Sequence, residues 1–419
     1  MRYAFIWMLA CMATPIAQAT PETAPSPLTL QQVIGRVLER NPQLAIHDFE
    51  RQAAAARTRQ AEQSTPYELR MELANLAGSG AYQGIDRLES TLSLIRLLET
   101  RELRASRRDL AQQHTLLLRN EQDSQRLDLL AHATEQFIHV VVDQHKLRIA
   151  EDHLTLVRHT HEIVSQRVKA GRSHIAEQRR LEMALARAEI ELEHAEHELN
   201  TSRLKLAAFW GESQPDFGSA TADLVALPSL PPFAQLETLL TDNPDLVRFA
   251  SEERIAQARV KLAQARRAAP MELSGGLRYF NDVNDAALTA SISIPLGAGS
   301  RARPEIDEMQ ALSAREPLRF EQRRLALRAG LYELYQEALH ARTAFEALHH
   351  RIIPAAQLAA EDYETGYQSG RFSLLELNEA QGALLDARRE AVLAAANYHR
   401  LSIEIERLTG AALRTGEPS

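Results

Sequence analysis

Heptad spacing of alanine and leucine constrains this chain more than any other feature of its sequence. Between residues 179 and 208 apolar positions recur in steps of three and four from Leu181 through Leu185, Ala188, Leu192 and Ala195 to Leu199, and again one heptad later at Leu206. Residues 147–168 carry the same rhythm, and a glycine turn at residues 169–173 separates the two stretches. This spacing is typical of helices that pack along other helices, so it predicts a long antiparallel helical hairpin.

The hairpin occurs twice, which indicates one duplicated unit of about two hundred residues. The Gly-Arg pair at residues 171–172 recurs 199 positions later at 370–371, and the Asn-Pro pair at 41–42 recurs 202 positions later at 243–244. The predicted division is therefore a first repeat at 28–211, a linker at 212–232, a second repeat at 233–410 and a C-terminal tail at 411–419.

The hydrophobic period changes to two in one stretch of each repeat, at about 68–95 and 272–294. Apolar residues alternate there with charged and hydroxyl residues, which predicts two strands per repeat. A half-buried soluble sheet gives the same pattern. Four strands alone, however, bury little apolar surface and leave two unpaired strand edges. A tilted strand of ~9–11 residues can span an outer membrane, where only a closed barrel satisfies the backbone. The strands therefore favour a barrel completed by other copies of the chain.

Proline placement differs between the two long helices. No proline occurs between Ile95 and Pro215, so much of residues 100–169 can form one helix of ~100 Å. The second copy contains Pro304, Pro317 and Pro354, and we expect its helix to kink or break.

The N-terminus has the pattern of a targeting segment. Arg2 precedes an apolar run over residues 3–13, and a small-x-small motif follows at 17–19. This predicts a signal peptide at 1–19 and a flexible leader at 20–27. The one cysteine, Cys11, lies inside the apolar run, so the mature chain would have no disulfide. A loose lipoprotein-like box leaves acylation of Cys11 open.

Charge and motifs predict no catalysis and no bound cofactor. Basic residues are scattered among acids in a chain of net charge −8, which argues against nucleic-acid binding. No GxSxG, HExxH, Walker loop or CxxC motif occurs, so the chain is not expected to be an enzyme. Among 15 histidines, His194 and His197 are spaced i, i+3, but no His–acid spacing is diagnostic of a metal site. His161, on an apolar seam, is interpreted as a satisfied packing residue.

The ordered set of repeated marks resembles the TolC-like outer-membrane efflux proteins, the outer-membrane factors of tripartite export systems. The resemblance covers nearly all of the mature chain, and residues 208–217 are most similar to the heavy-metal, CzcC-like branch. One departure is the exit of the first strand pair, where Arg96 stands in place of Pro295. The marks are the two Asn-Pro helix starts, the segment 293–297, the two Gly-Arg tips and the repeat ends at 209–211 and 408–410.

The resemblance implies a mainly α fold with a small β component. Long antiparallel helical hairpins would form an α-barrel, and a transmembrane β-barrel would be completed by trimerisation, with four strands per protomer. The homotrimer would sit in outer-membrane lipid of a Gram-negative bacterium and extend into the periplasm. It would be a passive exit duct for heavy-metal cations, delivered by an inner-membrane pump of the RND type through a periplasmic adaptor (membrane fusion) protein.

The hairpin tips, at residues 169–174 and 368–373, are the candidate site for gating the periplasmic end and docking the adaptor. Glycine permits a tight helix reversal, and a plain turn is the simpler explanation of these tips. Glu364 and Arg371 could pair, whereas ordinary packing is the alternative role for both tyrosines. The candidate residues are Gly171, Arg172, Tyr363, Glu364, Tyr367, Gly370 and Arg371.

Two other functions remain open from sequence. A periplasmic adaptor also carries a long helical hairpin, but it should have one hairpin between split barrel-like domains. A structural coiled-coil envelope protein should have uninterrupted heptads and no strand pairs.

Overall fold

The computed structural model describes residues 27–410. The predicted signal peptide, nearly all of the predicted leader and the predicted tail lie outside these residues. The fold is mainly helical with one four-stranded sheet, as predicted.

The helices and strands alternate in the same order in both halves of the chain. The helices are α1 Leu30–Arg40, α2 Pro42–Glu62, α3 Arg101–Lys169, α4 Ile175–Ala208, α5 Phe233–Leu239, α6 Pro244–Ala265, α7 Ala298–Ala347, α8 Ile353–Gln368 and α9 Leu374–Thr409. The strands are β1 Tyr67–Ala74, β2 Glu89–Leu98, β3 Met271–Phe280 and β4 Asp285–Ser293, with 3-10 turns at Gly80–Tyr82 and Leu240–Asp242 and a π-helical segment at Leu348–Ile352.

The sheet is antiparallel in the order β1-β2-β3-β4. Its register places Met71 opposite Leu92, Leu92 opposite Leu277, and Leu277 opposite Leu288, so one apolar row crosses all four strands. The alternation seen in the sequence therefore becomes two chemically different faces. The loop joining β1 and β2 is long and occupies positions 75–88, whereas the turn joining β3 and β4 is short and occupies positions 281–284.

The helices form two packed rows. Next to the sheet, α2 packs on α3, α3 on α6, and α6 on α7. Towards the hairpin tips, α4 packs on α3, α3 on α9, and α9 on α8. The outer members are therefore α2 and α7 in the first row, and α4 and α8 in the second.

The two long helices differ, but the break is at only one of the three places that the prolines suggest. The 69 residues of α3 form one unbroken helix. Pro304 and Pro317 lie inside α7 without ending it, so of the kink or break expected there, the break does not occur. A long helix that packs along other helices, as α7 does on α6 and α9, can lose single hydrogen bonds and still continue. The interruption comes at the π-helical segment just before Pro354, where the Ile353 N–H donates to the Leu348 carbonyl, an i to i−5 bond.

Each Asn-Pro pair fastens the start of one helix to the end of another. The Asn41 side-chain amide donates to the Phe209 carbonyl (2.7 Å), and that of Asn243 donates to the Leu408 carbonyl (2.6 Å). Each side-chain oxygen also accepts from the backbone N–H at position i+2, at 2.8 Å in both cases. Asparagine caps the helix, and the proline after it needs no N–H in the first turn. This is why the pair recurs in both halves.

Candidate functional site

Both hairpin tips are closed by a glycine in the left-handed region. Gly171 has φ 68° and Gly370 has φ 77°. The residue after each glycine donates its N–H to a carbonyl at position i−5, from Arg172 to Arg167 and from Arg371 to Gly366, at 2.8 Å in both. This is the Schellman arrangement, in which glycine avoids the Cβ penalty of positive φ.

Tyr367 is the packing centre that joins the two tips. Its side chain is 3% exposed and lies with Val164, Leu181 and the start of α9 in one hydrophobic cluster. Its hydroxyl donates to a Glu177 carboxylate oxygen at 3.0 Å. Burial raises the pKa of Tyr367, so the phenol remains a neutral donor. These contacts favour the packing role that the sequence left open for this residue.

Arg167 locks the tips together from the first hairpin. Its Nη1 donates to the carbonyls of Tyr367 (2.8 Å) and Gln368 (2.9 Å), the last carbonyls of α8. Its guanidinium lies 4.7 Å from the centre of the Tyr367 ring. A cation at a helix C-terminus and over an aromatic face is stabilising on both counts.

The remaining candidates are arranged differently from the prediction. Glu364 does not pair with Arg371; it contacts His159 Nε2 at 3.2 Å, and Arg371 Nε donates to Ser369 instead. The reason is geometric, because Glu364 points from α8 towards α3 while Arg371 lies beyond the helix end. The ring of Tyr363 packs against that of Phe372, with the ring centres 4.6 Å apart. Gly171, Arg172, Gly370 and Arg371 are exposed at the ends of the hairpins.

Sequence reasoning missed several residues that shape the tips, namely His159, Arg167, Glu177, Gly366 and Phe372. A Cβ on Gly366 would overlap Cδ2 of Phe372, so the ring packs directly against the glycine backbone. The sequence contains no signal that separates Gly366 from the other helical glycines, since Gly330 and Gly382 have nothing near the position of a Cβ. The cross-hairpin partners carried no local signal either.

The two tips have opposite charge. Residues 167–180 contain five basic residues and one acid, a net charge of +4, whereas the matching residues 366–379 contain one basic residue and two acids, a net charge of −1. Four basic residues of the first tip are exposed and form no ion pair within residues 27–410, namely Lys169, Arg172, Arg179 and Arg180. The first tip therefore presents uncompensated positive charge.

One face of the sheet exposes large apolar side chains. Leu288 is 88% exposed, Leu69 is 69% exposed and Met71 is 68% exposed. Burying each such side chain is worth about 1.5–3 kcal/mol, so the whole face represents on the order of 10 kcal/mol of unrealised stabilisation. The exposed set is Tyr67, Leu69, Met71, Leu73, Leu92, Leu94, Leu273, Leu277, Tyr279, Leu288 and Ile292. The opposite face carries mainly charged and hydroxyl side chains, including Glu68, Arg70, Glu72, Thr91, Ser93, Ser274, Arg278, Thr289 and Ser291.

The sheet and both helix rows end in open edges on the same two sides of the chain. Strand β1 follows α2, and β4 precedes α7, so these four elements form the outer members near the sheet. Unpaired strand edges invite pairing with another chain. The outer helices also expose apolar side chains, with Leu318, Leu325, Tyr332 and Leu339 at heptad spacing along α7. Such a stripe is the pattern of a helix that packs on another helix.

The outer helices near the tips, α4 and α8, expose apolar side chains at the same distance from the tips. The tips pack together, so distance along the chain from each tip glycine measures height on a common scale. Met183 lies as far after Gly171 as Leu358 lies before Gly370, and the two side chains are 60% and 63% exposed. The exposed apolar positions of α4 and α8 would therefore meet if a second copy stood beside the first.

Metal ligands do not gather within one chain among the described residues. No three His, Cys, Asp or Glu side chains are grouped to hold a metal across residues 27–410. No helix in this range is long and apolar enough to cross a membrane.

Nε2 of His161 is buried without a hydrogen-bond partner, so the interpretation of His161 as a satisfied packing residue is wrong. A seam position supplies apolar neighbours rather than acceptors.

Comparison with known sequences identifies efflux proteins. Residues 236–411 match the family described as outer membrane efflux protein. The cobalt-zinc-cadmium resistance protein CzcC of Cupriavidus metallidurans is 24% identical over 283 residues, which are 68% of this chain and 68% of that protein. These matches agree with the prediction that the chain is not an enzyme.

Solved structures with the same fold cover almost the whole chain. A structure of CusC, from work on folding and transmembrane channel formation, has a TM-score of 0.74 at 16% identity and covers 97% of this chain and 99% of that one. The outer membrane protein VceC of Vibrio cholerae has a TM-score of 0.73 at 17% identity, with 91% and 96% covered. The open-state MtrE outer membrane channel of Neisseria gonorrhoeae has a TM-score of 0.73 at 17% identity, with 93% and 91% covered.

Proposed function

Because this chain belongs to the outer membrane efflux protein family, we propose that it forms the exit duct of a tripartite system for heavy-metal cations. Channels of this family work as trimers with a periplasmic adaptor and an inner-membrane pump. The protein lies in the outer membrane and extends into the periplasm. One observation supports the proposal most directly. The sheet exposes an apolar face, its edge strands β1 and β4 are unpaired on their outer sides within residues 27–410, and the outer helices α2 and α7 lie on the same two sides as these strands.

Ring closure explains those edges. If β4 and α7 of one copy meet β1 and α2 of the next, every strand edge and every outer helix gains a partner. Such a head-to-tail contact closes into a ring when the rotation fits, and three copies would give twelve strands. A closed ring removes the edge hazard altogether.

The two faces of the sheet suggest which side meets lipid. We assign the apolar face to outer-membrane lipid, where its side chains would gain the burial that one chain cannot give them. The polar face would then line the interior of the barrel. Because a barrel satisfies all backbone groups between strands, it can cross the membrane without an apolar helix.

The two halves act as repeats of one unit in this proposal. Residues 28–211 and 233–410 each supply a strand pair and a hairpin, and residues 212–232 connect them. Three copies would thus contribute six similar units to the wall. The shared Asn-Pro clasp supports this division, because it closes each unit at the same place.

The hairpin tips are the proposed contact for the adaptor. Gly171, Arg172, Gly370 and Arg371 are exposed at the end farthest from the sheet, where a periplasmic partner would arrive. Tyr363, Glu364 and Tyr367 are proposed to hold the shape of the tips that the adaptor reads, as their contacts between hairpins and across the second tip suggest.

The cargo and the pump type rest on the relative and on the sequence resemblance. CzcC is named for cobalt, zinc and cadmium resistance, and the resemblance to its branch implies a pump of the RND type. A deletion strain should lose resistance to these cations, and the intact gene should restore it. Unchanged metal tolerance together with increased sensitivity to organic drugs would contradict the cargo while leaving the duct in place.

Cysteine cross-linking tests the ring directly, since the mature chain is predicted to lack cysteine. A Met183→Cys, Leu358→Cys double variant should form covalent trimers on oxidation of isolated outer membranes. Met183→Cys alone should not, because a head-to-tail contact never brings residue 183 against itself. Pairing Met183→Cys with Leu393→Cys provides a matched control, as Leu393 is 54% exposed on α9, which is not an outer helix. Cross-linking only in this control pair would contradict the proposed edge.

A further inference from the structure

We propose that a site for a divalent transition-metal cation forms where two copies of the chain meet. Its ligands are His194 and His197 on α4 of one copy and His349 and His350 on the π-helical segment of the next. The inference rests on the proposed ring closure, and it adds a binding site to the wall of the duct.

The α4 histidines lie on the outer face of that helix. His197 continues the heptad series of Met183 and Ile190, which are 60% and 66% exposed. The side chains of His194 and His197 are 72% and 73% exposed, and each ring lies 3.5 Å from an acid of its own helix, Glu198 and Glu193 respectively. A carboxylate beside a histidine can fix ring orientation and raise its basicity as a ligand.

The π-helical segment presents the second pair. The wider turn leaves a continuous exposed stretch over positions 349–352. The His349 ring stacks on Phe345 with a centroid distance of 5.3 Å, and the His350 ring stands edge-on to His349 at 4.9 Å. Insertions of this kind occur frequently at functional sites. The stacking holds two imidazoles side by side on the outer surface.

One histidine of each pair stands at nearly the same height above the tips, whereas His197 lies six positions farther from Gly171 than His350 lies from Gly370. The separation of His194 from Gly171 along the chain exceeds that of His349 from Gly370 by only two positions. At about 1.5 Å of rise per position the axial difference is about 3 Å, which is within the reach of a side chain. The same edge brings Met183 level with Leu358, so one contact between copies aligns both the apolar and the histidine positions.

The ligand chemistry points to zinc-like cations. Imidazole nitrogen suits Zn²⁺, Co²⁺, Ni²⁺ and Cu²⁺, and four such ligands match the tetrahedral preference of Zn²⁺. Within one chain no three ligands gather among the described residues, so the site is incomplete until a second copy arrives. The sequence showed no metal-binding spacing because the two pairs lie in different repeats.

A cleft within one chain is the competing location. His139 lines it together with His194 and His197. Its two nearby acids, Asp143 and Glu198, already contact the Lys146 ammonium at 3.1 and 3.3 Å. A cation would have to displace that lysine, so the seam between copies is the better site.

Zinc titration of the assembled protein tests the proposal. The tag-free, detergent-solubilised protein is titrated with Zn²⁺ by calorimetry, and its oligomeric mass is measured in the same sample. We expect one Zn²⁺ per chain in the trimer. Two double variants are tested, one with His349→Ala and His350→Ala and the other with His194→Ala and His197→Ala. Each should weaken zinc binding at least about tenfold, while His139→Ala should bind zinc as the parent does.

Each outcome decides between the seam and its rivals. An intact trimer that binds no zinc, or that keeps full binding after loss of His349 and His350, overturns the metal site and leaves the duct untouched. Loss of binding in His139→Ala moves the site into the cleft and also overturns the proposal. A protein that stays monomeric under these conditions removes the ring and the site together.

Discussion

The two halves of the chain share a framework but differ in their surfaces. Both keep the Asn-Pro clasp and the left-handed glycine at the tip. They differ in the charge of the tips, in the length of the connection between their strands, and in the continuity of the long helix. The comparison teaches that the two halves match where each closes its own helices and differ in the exposed features, namely the charge of the tips, the strand connection and the interruption of the long helix.

Removing the Asn-Pro clasp, the hydrogen bond from Asn41 to Phe209 or from Asn243 to Leu408, should give the largest loss of stability. The loss should be greater in the second half of the chain. Asn243→Ala leaves the Leu408 carbonyl unsatisfied and two N–H groups uncapped, so we expect a loss of about 2–4 kcal/mol. Asn41→Ala uncaps only one N–H and should cost somewhat less. Thermal unfolding of both variants, followed by circular dichroism, checks the order; equal or reversed losses would break the comparison.

Adding a side chain at Gly366, which lies against the Phe372 ring, should give the next largest loss of stability. Gly366→Ala forces the Phe372 ring away, at a cost of about 1–3 kcal/mol. Gly330→Ala, in α7 where nothing lies near the new Cβ, should be neutral or stabilising by up to about 1 kcal/mol. Adding Phe372→Ala to Gly366→Ala should remove most of the clash, and a double-mutant cycle of unfolding temperatures would show this coupling.

Weakening the link between the tips should have a moderate effect. Arg167→Lys keeps the charge but cannot make both carbonyl contacts in the same geometry or stack as well on Tyr367, so we expect a loss of about 1 kcal/mol. Arg172→Lys, at an exposed unpaired position of the same tip, should change stability little. Faster proteolysis at the tips in the first variant but not in the second is the expected result. Equal cleavage would mean that the tips are held by the hydrophobic cluster alone.

A half-buried acid, Glu406, gives the smallest difference, and this difference depends on pH. Glu406 stands where the first half has Ala207, and burial raises its pKa. A raised pKa in the folded state means that stability is complete at acid pH and falls as the pH rises past the usual carboxyl range. Glu406→Gln should therefore unfold at a higher temperature than the parent at pH 8, with the difference shrinking towards pH 4. A constant difference across pH would contradict the burial argument.

The sequence predicted the framework because that framework is locally encoded. Heptads, period-two strands and tip glycines each depend on residues close together in the chain, and the structure has all of them. The partners of Glu364 and Tyr367 were missed because they come from the other hairpin, about two hundred residues away. The continuity of α7 through Pro304 and Pro317 was not predictable for a related reason, since the helices that pack on α7 are not visible in its own sequence.

The unbroken α3 has a mechanical consequence. A rod of about 100 Å turns small rotations into large displacements, so a tilt of about 5° at the sheet moves the far end by about 9 Å. The other long helix has a joint at its π-helical turn, where bending costs less than in a regular helix. Each protomer thus pairs a continuous helix with an interrupted one, and because the two tips are packed together, a tilt of α3 that moves both tips would be accommodated by bending at the π-helical turn.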